Sequence, residues 1–259
     1  MTHVELGGGS MNEEERYLFD LWGYVTIENV LSEDELTKLN ALIDEQNYSE
    51  PTDDKIYSQR FGGFMDWEND AYRKSLNHPR IMPYLKGMIG GKFRLDHAYG
   101  ILMRNGNPGG TLHGGGTPYD PAQYYVFRNE QMYNGLTVVS WALTDVLPGH
   151  GGFCCIPGSH KSNFRCPSRF RPVANNPKCM VGVHQKAGDA VIFTEALTHG
   201  TLPWEASHYR RSILFKYSPG HSAWGQGRYD DALREKMSEE DQRLMLEPPY
   251  VSSRKLVVE

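Results

Sequence analysis

The sequence runs to 259 residues, 39% of them apolar and 23% charged, with a formal charge of −5; that is enough chain for a full core and for a single large β domain. Such a balance supplies no basic field to hold a phosphate backbone, which excludes a nucleic acid polymer as a first partner. No apolar run of about 18 residues and no basic-then-apolar leader is present, so neither a membrane span nor a secretory signal is read and the expected compartment is the cytoplasm.

In chain order, residues 1–10 read as a flexible lead-in or expression scar, leaving residues 11–259 as one domain with N-terminal helices and a helical tail. Residues 12–20 predict a short helix, and residues 24–30 a β-rich run after the break at Gly23. Ser32 and Glu35 form a capping box, behind which Leu36, Leu39 and Ile43 set one apolar stripe of a helix. Residues 53–94 mix aromatics, charges and loop formers, predicting covering loops and a helix between Pro79 and Met88. From Lys92 onward short β-type runs succeed one another at 93–104, 136–146, 153–157, 179–183, 189–197 and 212–217. Glycine- and proline-rich turns separate them in place of helices, the pattern of an antiparallel barrel or jelly roll. Residues 229–246 read as a charged, solvated helical cover. Cys154, Cys155, Cys166 and Cys179 contain no C-x-x-C pair and read as buried thiols on strands.

Two histidines stand out by their surroundings. His113 lies in TLHGGG, after a predicted strand and before a long aromatic loop, while His199 ends the apolar run DAVIFTEALTH where Gly200 lets the chain turn. Strand ends at a barrel mouth can bring such distant imidazoles together, and neutral imidazole is a good ligand for divalent iron. Arg210 and Ser212 open the run RRSILFKY and share one face of a strand, with Arg211 on the other. A planar guanidinium fork beside a hydroxyl suits a carboxylate. HGGG also serves some esterases as an oxyanion hole, but no G-x-S-x-G elbow follows it here. No H-E-x-x-H is present to hold zinc.

The succession of His113, the long loop, LTVVSWALTDV, GGFCCIPGSHKSN, AGDAVIFTEALTHG and RRSILFKYSPG resembles the phytanoyl-CoA dioxygenase family of iron(II)/2-oxoglutarate oxygenases over residues 24–222. That resemblance implies a mainly β chain with flanking helices around a double-stranded β-helix, a cupin-like jelly roll. It implies His113 and His199 as iron ligands, with Arg210 and Ser212 on the distal carboxylate of 2-oxoglutarate. Trp141, Thr137 and Asn134 would line the co-substrate site, and Fe(II), 2-oxoglutarate and O2 would form the cofactor set. His160, in the IPGSHK run, is expected to be a structural or substrate-edge residue rather than a third metal ligand.

The family's H-x-D carboxylate is absent, because the sequence reads His113-Gly114-Gly115. The superfamily's aliphatic halogenases carry the same H-x-G change, and chloride takes the vacated position there. The resemblance thus implies an oxidoreductase that functionalises an aliphatic C–H bond of a small molecule by chlorination, with Gly115 at the chloride site. Two alternatives stand beside it: a hydroxylase or related dioxygenase that borrows a carboxylate such as Asp120, and a noncatalytic binder. Glu195, four residues before a strand-end ligand, is expected to face the wall or the solvent. Phe61, Phe64, Trp67, Tyr119, Tyr124, Tyr125 and Phe127 could wall a pocket, and Arg60, Arg104 and Arg128 could meet an anionic group. A small-molecule substrate, anionic or nucleotide-like, is compatible with them.

Overall fold

A computed structural model describes residues 11–46 and 58–252, so the expected lead-in lies outside the described residues. Helices α1 (Glu13–Trp22) and α2 (Glu33–Glu45) both begin on capping boxes, Asn12 with Glu15 and Ser32 with Glu35. Each box satisfies two backbone N–H groups that a helix start leaves unpaired. Gly23, left-handed at φ 83°, ends α1 and turns the chain into β1 (Tyr24–Ile27). The stretch expected as covering loops contains β2 (Ser58–Phe61), α3 (Ala71–Lys74) and α4 (Met82–Ile89). Its aromatics are core: Phe64 lies 4.8 Å from Tyr72 and 5.7 Å from Phe215, ring centre to ring centre.

Strand β3 (Phe93–Met103) is followed by a hairpin, β4 (Tyr125–Arg128) and β5 (Gln131–Asn134), inside the segment read as loop. Asn129 and Glu130, at φ 53° and 60°, form its two-residue turn. Next come β6 (Thr137–Ala142), β7 (Gly152–Cys155), β8 (Val181–Gly182), β9 (Ala190–Thr194), β10 (His199–Leu202) and β11 (Arg210–Pro219). The tail is two short helices, α5 (Asp231–Glu235) and α6 (Glu240–Met245). It is no merely solvated cover, since Leu233, Met237, Met245 and Leu246 are buried in the main core.

A six-stranded sheet in the order β1-β9-β6-β11-β3-β2 faces a smaller β10-β7-β8 sheet, and all the pairings are antiparallel. This is the expected jelly roll. Strand alternation divides its interior into two cores. Val139 and Trp141 of β6 and Ile213, Phe215 and Tyr217 of β11 turn outward under the helices. Val138, Val191, Phe193 and Leu214 turn inward against Phe153 and Cys155 of the smaller sheet. Each such fully buried side chain contributes about 1.5–3 kcal/mol.

Candidate metal centre

Residues 111–113 run along the free edge of β10, and His113 and His199 exchange both backbone hydrogen bonds, at 2.8 and 2.9 Å. This local ladder brings together two residues eighty-six positions apart, with ring centres 4.2 Å from each other. In both rings Nδ1 lies beside a carbonyl, that of Thr111 at 3.1 Å for His113 and that of Leu197 at 2.7 Å for His199. Nδ1 therefore carries the proton and donates it, leaving each Nε2 with a free lone pair. Burial pushes the His199 imidazole down to about 4, against the opposing pull of Glu195. Burial thus favours the neutral form, the one that ligates. His113 is exposed, so one side of the pair is open.

Glu195 completes the group. Ligand atoms of His113, Glu195 and His199 lie within 4.8 Å of one another, the one such cluster of three among the described residues. The expectation that Glu195 faces the wall fails because β9 and β10 are separate strands. β9 ends at Thr194, a turn closed by the Leu197 N–H on the Thr194 carbonyl follows, and His199 opens β10 rather than ending its predecessor. Through that turn the alternation resets, and Glu195 swings inward until Oε2 stands 3.8 Å from His199 Nε2. Its other oxygen accepts a short hydrogen bond from Lys216 Nζ. Burial opposes ionisation of Glu195, but His199, Lys216 and His113 outweigh it and hold its carboxyl below the usual range. Asp120 is spent locally, accepting from the N–H groups of Ala122 and Gln123 at 2.7 and 3.2 Å.

The glycines after His113 let two backbones touch. A Cβ on Gly114 would stand 2.5 Å from the Leu197 carbonyl and 2.7 Å from that of Glu195, and one on Gly116 2.3 Å from that of His160. Gly115, at φ 114°, faces the Thr198 hydroxyl, 3.1 Å from where its Cβ would be, and that buried oxygen has no partner. Both residues line a pocket of about 390 Å³ that also reaches Phe164, Cys166 and Cys179. Cys154 and Cys155 are buried as expected, Cys166 is half-buried and Cys179 is exposed. His160 is buried beside this turn, its Nε2 donating to the Asp20 carbonyl at 3.0 Å, a structural role.

Along β11, Arg210, Ser212, Leu214 and Lys216 face the space between the sheets. Arg210 is 4% exposed with no carboxylate against it; burial pulls its guanidinium down to about 10. Its Nε and the Ser212 Oγ are both buried without partners. Arg211 points the other way, to Asp44 at 2.5 Å and Asn40. Trp141 and Thr137 do not line this space. They pair with Ile213 and Tyr217 and so share the helix-covered face, where Trp141 packs edge-on against His78 at 5.4 Å. Asn134 is likewise occupied elsewhere, donating to the Met88 carbonyl at the end of α4.

A row of rings leads outward from Lys216. Tyr99 has the Lys216 ammonium 5.6 Å from its ring centre and Arg60 at 5.2 Å. His97 stacks on Tyr99 at 6.0 Å, and the half-exposed Trp224 stacks on His97 at 5.3 Å. The sequence points to Arg60 and weighs Glu195 only to set it aside, and it gives no sign of Lys216 or Trp224; the inward lysine at the fourth alternate position of RRSILFK is the one feature that signals a buried acid.

The profile of the family described as phytanoyl-CoA dioxygenase matches residues 19–212. Among solved structures, HygX from Streptomyces hygroscopicus with nickel and 2-oxoglutarate bound is similar at TM-score 0.75 and 21% identity, over 83% of this chain and 89% of that one. The non-heme alpha-ketoglutarate-dependent carbocyclase SnoK from nogalamycin biosynthesis is similar at 0.65 and 20%, over 89% and 94%. The epimerase SnoN from nogalamycin biosynthesis follows at 0.62 and 18%, over 84% and 91%. These likenesses establish the fold. No curated protein matches the chain.

Proposed function

The chain belongs to the phytanoyl-CoA dioxygenase family, and from that premise we propose that it is an iron(II)/2-oxoglutarate-dependent oxygenase of a small molecule whose metal is held by His113, His199 and Glu195. The observation that carries this reading is the three-residue donor set itself. Two imidazole nitrogens freed by their own hydrogen bonds and one carboxylate oxygen suit divalent iron. Glu195 would then supply the carboxylate that Gly115 cannot. Once bound there, iron with 2-oxoglutarate and O2 would supply the oxidising power for an unactivated C–H bond. Arg210 and Ser212, with orphaned donors sealed from water, would bind the far carboxylate of the co-substrate. HygX binds nickel and 2-oxoglutarate, and the epimerase SnoN forms a complex with Fe3+, alpha ketoglutarate and nogalamycin RO. The ring row from Tyr99 to Trp224, with Arg60 beside it, would receive a substrate with a flat ring and an anionic group.

Chlorination is the second reading, and one specific observation favours it. Side-chain-free Gly115 faces an unpartnered hydroxyl, that of Thr198, beside a pocket with room for a small anion. Anaerobic titration of iron(II) and 2-oxoglutarate, followed by absorption with and without chloride, separates the two. An oxygenase ligated by Glu195 gives a charge-transfer band indifferent to chloride, and Glu195→Ala loses it. A band that shifts with chloride and survives Glu195→Ala supports chlorination. A wild type that takes up no iron defeats both.

A further inference from the structure

Lys216 is a buried cation that the proposed reaction leaves unused, its side chain 11% exposed on the inner face of β11. Its cross-strand neighbours are Val138 on β6 and His97 on β3, and its ammonium reaches past the Tyr99 ring to Glu195. The two oxygens of Glu195 consequently have different surroundings. Oε1 is engaged by the ammonium, while Oε2 is turned toward His199 Nε2 at 3.8 Å. We propose that Lys216 is a positioning residue that restricts Glu195 to one-oxygen ligation of the metal and so keeps room for a two-oxygen co-substrate. This rests on the reading of Glu195 as a ligand.

The physical reason lies in what a glutamate can do when unrestrained. Its two equivalent oxygens can both bind a cation, and its three side-chain torsions let it approach in several ways. An octahedral ion offers about six positions. Three protein atoms and the chelating pair of an α-keto acid fill most of them, and a second carboxylate oxygen competes with that chelate. An aspartate in the family's H-x-D place, position 115 here, is one methylene shorter, so it has less freedom to lose. Glu195 instead hangs from a turn, and a fixed donor on one oxygen limits that freedom. Outer partners of this kind orient a metal ligand and tune its affinity. Lys216 has a strong hold because an ammonium withdrawn from water requires an anionic partner and Glu195 is against it.

The test uses cobalt(II) as the probe metal on the full chain, with metal and 2-oxoglutarate affinities measured by anaerobic calorimetry and ligation by the visible cobalt spectrum. Lys216→Met should bind cobalt as tightly as wild type or tighter, change the cobalt spectrum, and bind 2-oxoglutarate at least tenfold more weakly. Lys216→Gln, whose amide donates to one oxygen, should fall between the two. If Lys216→Met does not fold, Lys216→Gln carries the test, with at least a threefold loss of 2-oxoglutarate affinity at full cobalt occupancy. Wild-type spectrum and wild-type 2-oxoglutarate affinity in the variant that folds would overturn the role of Lys216. Glu195→Ala is measured alongside. If it retains wild-type cobalt affinity, the ligand set of the proposed oxygenase fails first; if it loses cobalt while the Lys216 variants behave as wild type, only the present inference fails.

Discussion

A guanidinium sealed between two sheets with no anion against it is costly unless something negative arrives, and Arg210, its Nε without a partner, stands in that position beside the unpartnered Ser212 hydroxyl. Arg210→Ala should therefore raise the apparent 2-oxoglutarate requirement by about tenfold or more, since a charge-assisted, partly desolvated contact is lost. Arg211→Ala should leave that requirement unchanged and cost about 0–1 kcal/mol of stability, because its partners are Asp44 and Asn40 at the surface of α2. Titration of both variants with 2-oxoglutarate decides it, and a sensitive Arg211 beside an indifferent Arg210 would refute the assignment. A similar contrast holds at the metal. Glu195→Ala should lose iron(II) affinity by at least about tenfold, as changes at a ligand or its supports commonly do. Asp120→Ala should keep it, because that carboxylate serves only its own turn. Arg210 and Ser212 were legible in the sequence because β11 alternates without interruption over them. Glu195 was not, since a turn between β9 and β10 resets the alternation and no propensity marks where a continuous apolar run will break. Trp141 was misplaced for the complementary reason: in a strand buried on both faces, apolar residues alone do not say which face is which.

Among the elements, the segment from His113 to Gly116 and the turn 195–198 fit together only because of glycine. Gly114 has φ 75° and no space for a Cβ against two backbone carbonyls, neither of which can rotate away as a side chain would. Gly114→Ala should accordingly cost about 1–3 kcal/mol from backbone strain alone and spread His113 from Glu195, lowering metal affinity as well as the melting temperature. Gly115→Ala meets a single hydroxyl at 3.1 Å and its own φ of 114°, so it should strain the backbone while displacing the ligands less. Differential scanning calorimetry with and without cobalt would show it: metal should stabilise Gly115→Ala more than Gly114→Ala, and equal increments would mean that the glycine contact does not set the site. The capping box at Ser32, the long β3 and the glycine-punctuated strands are readable, because caps and turns are short-range chemistry. The hairpin β4–β5 escaped notice because its Asn-Glu turn lacks the usual glycine and its aromatic strands resemble a pocket wall.

At the scale of the molecule, a buried carboxylate helps tie the C-terminal segment to the six-stranded sheet. Asp96 of β3 accepts from the Trp224 and Gly225 N–H groups at 2.7 and 3.0 Å, from Ser218 at 3.0 Å and from His97 Nδ1 at 2.7 Å. It thereby fixes both His97 and Trp224 of the ring row, and the Tyr229 hydroxyl donates to its backbone carbonyl. Burial opposes its ionisation, but the His97 contact, the two backbone donors and the Ser218 hydroxyl together bring its carboxyl down to about 2 from 3.8. Because the folded value lies below the unfolded one, the stabilisation is fully present above about pH 4 and is lost as the pH falls toward about 2. The lowering corresponds to about 2 kcal/mol of pH-dependent stability, carried by a side chain with no exposed surface. Asp96→Asn removes that dependence while keeping the shape, so urea midpoints of variant and wild type should differ most near about pH 5 and converge as the pH is lowered through this window. The C-terminal segment should loosen with it, seen as a change in Trp224 emission in the variant at about pH 5 that wild type shows only in acid. A difference in urea midpoint that stays constant from about pH 5 to about pH 2 would mean that Asp96 is held by packing rather than by charge.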